Sequence, residues 1–242
     1  MKRTYTQILL LAAVLSITLL SSSCKRFRRI HGSGNAATEK RTVVDFTRID
    51  ISGGFKVNIV QDSSSVVTVS ADDNLLKYIK TSVEGGKLRL YTNRNLDSQT
   101  EMTVTIGVKK LEEIHSSGGV EIVSKGKINA GNFNFDLSGS THIDMDLSAA
   151  DVHTSGSGST ELVLKGQAAS HDLDMSGSSD IDALDFVVGK YNIETSGASK
   201  CKINVLKSLS IHSSGSSEVV YRGNPSNVSN DKSGSSSLTK ID

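Results

Sequence analysis

The side chains in this sequence best suited to chemistry are carboxylates and imidazoles crowded into the second half of the chain. They are His142, Asp144 and Asp146; His153; His171, Asp172 and Asp174; Asp180, Asp182 and Asp185; and Glu194. On strands stacked about 4.8 Å apart, carboxylates from neighbouring strands could meet as the acid and base of a polysaccharide-cleaving site. Two features argue against that use. The acids alternate with apolar residues, which places them on a wet face, and Lys165, Lys190, Lys200 and Lys202 are interspersed among them. The pattern fits a solvated surface, and no enzyme activity is expected. No Asp-x-Asp-x-Asp-Gly loop or Gly-Gly-x-Gly-x-Asp repeat marks a calcium site, and the histidines show no zinc-ligand spacing. No catalytic residue, metal ligand or cofactor is assigned.

Serine is the other candidate nucleophile, and it comes in a recurring phrase. Ser138-Gly139-Ser140, Gly156-Ser157-Gly158-Ser159, Ser176-Gly177-Ser178-Ser179, Ser196-Gly197-Ala198-Ser199, Ser214-Gly215-Ser216-Ser217 and Ser233-Gly234-Ser235-Ser236 share one form. Lacking a Gly-x-Ser-x-Gly elbow, the phrase does not read as a nucleophile. Its spacing explains it better. Gly139, Gly158, Gly177, Gly197, Gly215 and Gly234 are separated by steps of 19, 19, 20, 18 and 19 residues. Four residues after each stands Ile143, Leu162, Ile181, Cys201, Val219 or Leu238, and six before stands Phe133, Val152, His171, Tyr191, Leu209 or Val228. Each unit is strand, corner, strand, and the six glycines are structural corners where the chain needs unusual φ and close approach.

A single 19-residue coil cannot stand alone. Burying each Ile or Leu gives about 1.5 to 3 kcal/mol, while fixing each residue's backbone costs about 1 to 2 kcal/mol. Stacking is therefore required. Within a coil Phe133, Phe135 and Leu137 alternate with Asn132, Asn134 and Asp136, so one face is buried. Gly126, Gly166, Gly189 and Gly223 mark a second bend. Cys201 shares its alternating face with Ile203 and Val205 and reads as a small buried hydrophobe. In the last unit Asn230, Lys232 and Lys240 replace apolar residues, which suggests a polar cap on an open edge.

The elements ahead of the array set its location. Lys2 and Arg3, an apolar run from Ile8 to Leu20 and Ser21-Ser22-Ser23 before Cys24 form an export signal over residues 1–23. Small residues before a lone cysteine resemble the lipobox of bacterial lipoproteins, which implies lipidation of Cys24 and a membrane partner through that lipid. Residues 24–40, with Lys25, Arg26, Arg28 and Arg29 and then Gly32-Ser33-Gly34-Asn35, read as a flexible basic tether whose cations favour anionic headgroups. The remaining chain is nearly neutral, 25 basic residues against 26 acidic, so nucleic acid is not an expected partner.

Residues 41–115 are β-rich without the phrase. Val43–Ile51, Phe55–Val60, Val66–Ala71 and Thr103–Val108 read as strands, Ser52-Gly53-Gly54 as a break, and Gly85-Gly86 as a hairpin turn. Asp72-Asp73-Asn74 reads as the cap of a short helix through Ile79. Three stretches, Ile51-Ser52-Gly53-Gly54-Phe55-Lys56-Val57-Asn58-Ile59, Val67 to Leu76, and Gly85-Gly86-Lys87-Leu88-Arg89-Leu90-Tyr91, resemble the bacterial head GIN domain family, in which Ser-Gly-Ser repeats follow. The resemblance covers residues 41–242 and implies an all-β fold, a right-handed single-stranded parallel β-helix (β-solenoid). It comprises an irregular β-rich half with one short helix (41–115) and the repeat array (116–242). The family is described as auto-transporter adhesin heads of Bacteroidetes lipoproteins and brings no catalytic residues. The expected protein is a lipid-anchored, non-catalytic module of the cell envelope, set in the outer membrane and facing either side of it. Its expected partners are a protein, a glycan or a second copy. A polysaccharide-degrading β-helix enzyme and a spacer without a ligand are the rival readings.

Overall fold

A computed structural model describes residues 29–242. The export signal, Cys24 and the basic residues 25–28 lie outside the described residues. In chain order the strands are β1 (Ile30–His31), β2 (Ala36–Thr42), β3 (Arg48–Gln61), β4 (Val66–Asp72), β5 (Ile79–Glu84), β6 (Lys87–Thr92) and β7 (Leu96–Asp97). They continue as β8 (Thr103–Val108), β9 (Glu113–Asn129), β10 (Asn132–Leu137), β11 (Ser140–Arg222), β12 (Asn227–Gly234) and β13 (Ser237–Lys240). The fold is all-β and the sheet does not close into a barrel. Its main path runs β12-β11-β10-β9-β3-β8-β4-β2, with β13 on β11 and the β5–β6 hairpin on β3.

Pairing across β3, β9, β10, β11, β12 and β13 is parallel. Asn132 pairs with Asp151, Ser208 with Asn227 and Glu218 with Ser237, so each passage lies against the chain 19 residues on. The alternation in the sequence sorts the side chains. Phe133, Phe135, Leu137, Ile143, Met145 and Leu147 are buried while Asn132, Asn134 and Asp136 are exposed. One apolar core runs from Phe46 to Val219.

The corner glycines explain how the passages can lie so close. Gly177 has φ +99°, and a Cβ there would sit 2.6 Å from the Gly158 carbonyl oxygen. The same contact recurs from Gly139 to Gly234, each glycine facing the preceding corner's backbone. The ladder also begins earlier than the repeated phrase. Gly118 faces Gly53, and the two are register partners in β9 and β3. Ser52-Gly53-Gly54 is accordingly no break. It is a corner inside one 14-residue strand, β3.

Three other expectations are corrected. The strand expected from Val43 begins only at Arg48. The helix expected after Asp72-Asp73-Asn74 is a single 3-10 turn, Leu76–Tyr78, whose N-cap is Leu75 with no side-chain bond. Asp72 cannot cap it because its buried carboxylate is engaged elsewhere. It accepts from Gly34 N at 2.8 Å, Ser98 Oγ at 2.7 Å and Gln99 N at 2.8 Å. The same network brings much of the expected tether into the fold. β1 pairs with β7, and β2 lies antiparallel to β4 along Ala36–Thr42. The hairpin is as the sequence suggested: Gly85 and Gly86 have φ +56° and +74° and join antiparallel β5 and β6.

Candidate binding groove

Beside the corner glycines the stacked passages bend and leave a groove of about 980 Å³, spanning seven coils from Gly119 to Ser235. At the strand spacing of about 4.8 Å that is about 29 Å of length. The repeated phrase builds it by giving each serine a different task. The serine before the glycine ties one coil to the last, as Ser138 Oγ donates to Ser116 O at 3.1 Å. The residue two after the glycine points inward and bonds within the stack. Ser179 Oγ lies 2.9 Å from Ser199 Oγ, and Ser116 Oγ lies 3.1 Å from Thr141 Oγ1. The residue one after the glycine faces the groove, giving Ser140, Ser159, Ser178, Ala198, Ser216 and Ser235 along it.

Three residues after each glycine a charged or polar side chain forms the wall: Glu121, His142, Glu161, Asp180, Lys200 and Glu218. Cross-coil pairs organise this ladder, with Lys56 Nζ 3.3 Å from Glu121, His142 Nδ1 3.0 Å from Glu161 and Lys200 Nζ 3.7 Å from Glu218. Such exposed pairs contribute about 0 to 1 kcal/mol each, so they shape the surface more than they hold the fold. His142 therefore faces a carboxylate across coils, and among the described residues no serine hydroxyl bonds its ring.

The other acids and imidazoles do not converge. Asp144 pairs with Lys165 at 3.3 Å, Asp146 with Lys127 at 3.7 Å and Asp182 with Lys202 at 3.4 Å, each across a coil boundary. Asp172 and Asp185 are exposed, as is His153. Asp174 and Glu194 line a smaller hollow of about 490 Å³ with His212 and Asp231 on the other side of the corner. Among the described residues, no group of three or more His, Cys, Asp or Glu side chains could hold a metal ion.

His171 is the one imidazole turned inward. It is fully buried, 2.9 Å from Thr154 Oγ1 and 3.2 Å from the Tyr191 hydroxyl. Burial, with a smaller contribution from His153, pushes its pKa down to about 3, so it stays neutral. Cys201 is buried too, its thiol pushed up to about 12 by burial and then by Asp180.

The groove is what reading residue by residue missed. Its signal was present in the sequence as a small residue one place after each glycine and a charged residue three places after. The model of the family described as "Putative auto-transporter adhesin, head GIN domain" matches residues 45–225. A Bacteroides fragilis protein described as a putative adhesin is similar in structure, with TM-score 0.80 and 19% identity over 88% of this chain and 100% of that one. A putative adhesin from Parabacteroides distasonis gives 0.67 and 21% over 88% and 100%. A second protein of that organism, described as a putative lipid binding protein, gives 0.62 and 22% over 89% and 100%. No curated protein matches the chain.

Proposed function

The chain belongs to the head GIN domain family, and on that premise we propose that it is a lipid-anchored cell-envelope module that binds an extended partner along the corner groove without transforming it. The observation that carries this reading is repetition. The same hydroxyl and the same charged position return in coil after coil, so contacts are spread over about 29 Å instead of converging on one bond. Many weak contacts of this kind suit an adhesin-like role. The array is read as a right-handed, single-stranded parallel β-helix of about 19-residue coils. Parallel pairing at a 19-residue offset and the right-handed preference of parallel crossovers support that reading.

Anchoring rests on the export signal and Cys24. Cys24→Ala should abolish acyl labelling and move the protein to the soluble fraction; unchanged membrane retention would refute it. Protease shaving of intact cells decides between the outward and the periplasmic face. The groove is tested with Ser159→Arg/Ser178→Arg, both at exposed positions. Against arrays of envelope glycans and extended peptides, binding should fall at least tenfold in this variant with the circular dichroism unchanged. Equal binding would remove the groove from the reading. Turnover of any arrayed glycan would overturn the non-catalytic assignment.

A further inference from the structure

The main sheet has two ends. β12 and β13 occupy one; β2 and the β5–β6 hairpin occupy the other. The chain enters at the second end, where Ile30 N donates to Asn95 O at 2.9 Å and Gly32 N to Asp97 O at 2.9 Å. From Cys24 to Ile30 is six residues, a reach of at most about 20 Å when fully extended. Ile30 is already in a strand. A lipid on Cys24 therefore holds this end of the fold within one short tether of the bilayer.

The charges there are unevenly engaged. Lys77 on the 3-10 turn is exposed, its ammonium 5.2 Å from the Tyr78 ring centre. Arg94, also exposed, donates to its neighbour Asn93 O at 3.3 Å, and Asn93 N in turn donates to Tyr78 O at 3.1 Å, which joins the two turns. Arg29 stands exposed at the point of entry, and Lys80 is half-buried at the start of β5. Among the described residues none of these four is ion-paired. The nearby acids are already occupied, Asp97 by His31 at 2.9 Å, Glu39 by Arg41 at 2.9 Å and Asp72 by its backbone and hydroxyl donors. A hollow of about 540 Å³ opens between β2 and the turn, with Arg41, Lys77 and Lys80 around it and Leu76 in its lining.

We infer that this end of the fold docks on anionic headgroups of the membrane that holds the anchor, through Arg29, Lys77, Lys80 and Arg94. The inference rests on the anchoring part of the proposed function. Charge alone does not select this end, because Lys207, Arg222, Lys232 and Lys240 make the far end basic as well. Chain entry selects it, and the far lysines become an internal control. In this orientation the stack of corners from Gly53 to Gly234 rises about 34 Å from its base. β12 and β13 stand outermost, and the groove opens along the height of the molecule.

The test uses the full chain purified with its acyl group. It is reconstituted into vesicles of phosphatidylethanolamine with phosphatidylglycerol and, separately, of phosphatidylcholine. A water-soluble amine-acylating reagent then marks accessible lysines, read one by one by peptide mass spectrometry. Modification of Lys77 and Lys80 relative to Lys232 and Lys240 should fall at least fivefold in the anionic vesicles and not in the zwitterionic ones. It should recover in about 1 M salt, where the screening length is about 3 Å. The same ratio in both vesicles, or stronger protection of Lys232 and Lys240, overturns the inference. Lys77→Gln/Arg94→Gln should stay in the vesicles yet lose protection of Lys80. If no acyl group is found on Cys24, anchoring fails by itself and docking is read from co-sedimentation with anionic vesicles. There Lys77→Gln/Arg94→Gln should bind roughly 25-fold more weakly, about fivefold per cation, and Lys232→Gln/Lys240→Gln as well as wild type. Equal binding by the first variant and wild type would again overturn it.

Discussion

His171 makes the fold sensitive to mild acid. In the folded chain its pKa is about 3, against 6.5 for the ordinary side chain, because burial excludes the charged form. A lowered folded pKa means that the unfolded chain binds the proton first. Stability from this group is therefore complete above pH 6.5 and is lost as pH falls toward 3. Between pH 7 and pH 5 the unfolded chain gains about 2 kcal/mol from protonating this imidazole, and between pH 7 and pH 4 about 3 kcal/mol. Any folded pKa below about 4 gives nearly the same loss over the upper window, since the folded state does not titrate there. Urea titrations at pH 7, 6 and 5 and constant ionic strength, followed by circular dichroism, measure it. Hydrogen exchange in the coils from Val152 to Tyr191 gives the local value, which matters where a stacked array does not open all at once. His171→Leu leaves Thr154 Oγ1 and the Tyr191 hydroxyl without their partner, at a cost of about 1 to 3 kcal/mol each at pH 7. It should also flatten the acid slope, so the gap between variant and wild type narrows by about 2 kcal/mol at pH 5. An identical slope in wild type and variant would refute the assignment of the acid sensitivity to His171.

Two further outcomes follow from the backbone and from the entry network. Gly177→Ala combines a left-handed φ with a Cβ 2.6 Å from the Gly158 carbonyl and should lower stability by about 2 to 4 kcal/mol in urea titration. Gly34→Ala has positive φ but open space around it and should lose only about 1 to 2 kcal/mol. Asp72→Asn should raise hydrogen exchange at the amides of Gly34, Gln99 and Thr100, which the carboxylate now accepts. The Ser98 hydroxyl first, and then these backbone donors, hold the Asp72 pKa below 3.8. Its contribution is present above pH 3.8 and lost as pH falls through the lower folded value, so the variant and wild-type curves should converge in acid.

The repeat was legible because a single residue type meets two demands at each corner, a left-handed φ and the near contact of two backbones. Glycine alone meets both cheaply, so the same letters recur. The first corner was not legible. Gly53 and Gly118 are register partners separated by 65 residues, and no local pattern reveals a pairing across so long an excursion. The helix and the tether failed for a shared reason. Asp72-Asp73-Asn74 carries a good capping signal, but the donors of Gly34, Ser98 and Gln99 reach the Asp72 carboxylate from elsewhere in the chain. Gly32-Ser33-Gly34-Asn35 looks flexible alone, yet Ser33 N donates to Asn74 Oδ1 at 3.0 Å and Asn74 Nδ2 to His31 O at 2.8 Å. The groove's residues were visible in the sequence, but the concave side of a corner depends on how the backbone bends.

The two ends of the stack close by different means, and the difference can be tested. At the entry end the excursion between Gly53 and Gly118 folds back on β3 as β4, β8 and the β5–β6 hairpin. Ile49, Ile51, Val57 and Ile59 are thereby fully buried in what would otherwise be an end coil. Nothing comparable covers the far end. β12 is exposed along its length and pairs on one side only, with β11. Its inward positions carry Asn230 and Lys232 where the previous coil has Ile211 and Ser213. Lys232 Nζ donates to Ser236 O at 3.2 Å, and Lys240 Nζ, from β13, to Asn224 Oδ1 at 3.1 Å, so both ammonium groups lie across the open end. A second coil laid on this edge would have to strip water from those charges, which opposes strand addition even though the backbone groups of β12 are free to pair. Lys232→Val/Lys240→Val removes that obstacle and exposes an apolar edge continuous with Val228 and Leu238. The variant should form concentration-dependent dimers or longer assemblies in light scattering while the wild-type chain stays at one mass. If the variant keeps the wild-type mass across the same concentration range, the lysines do not guard the edge.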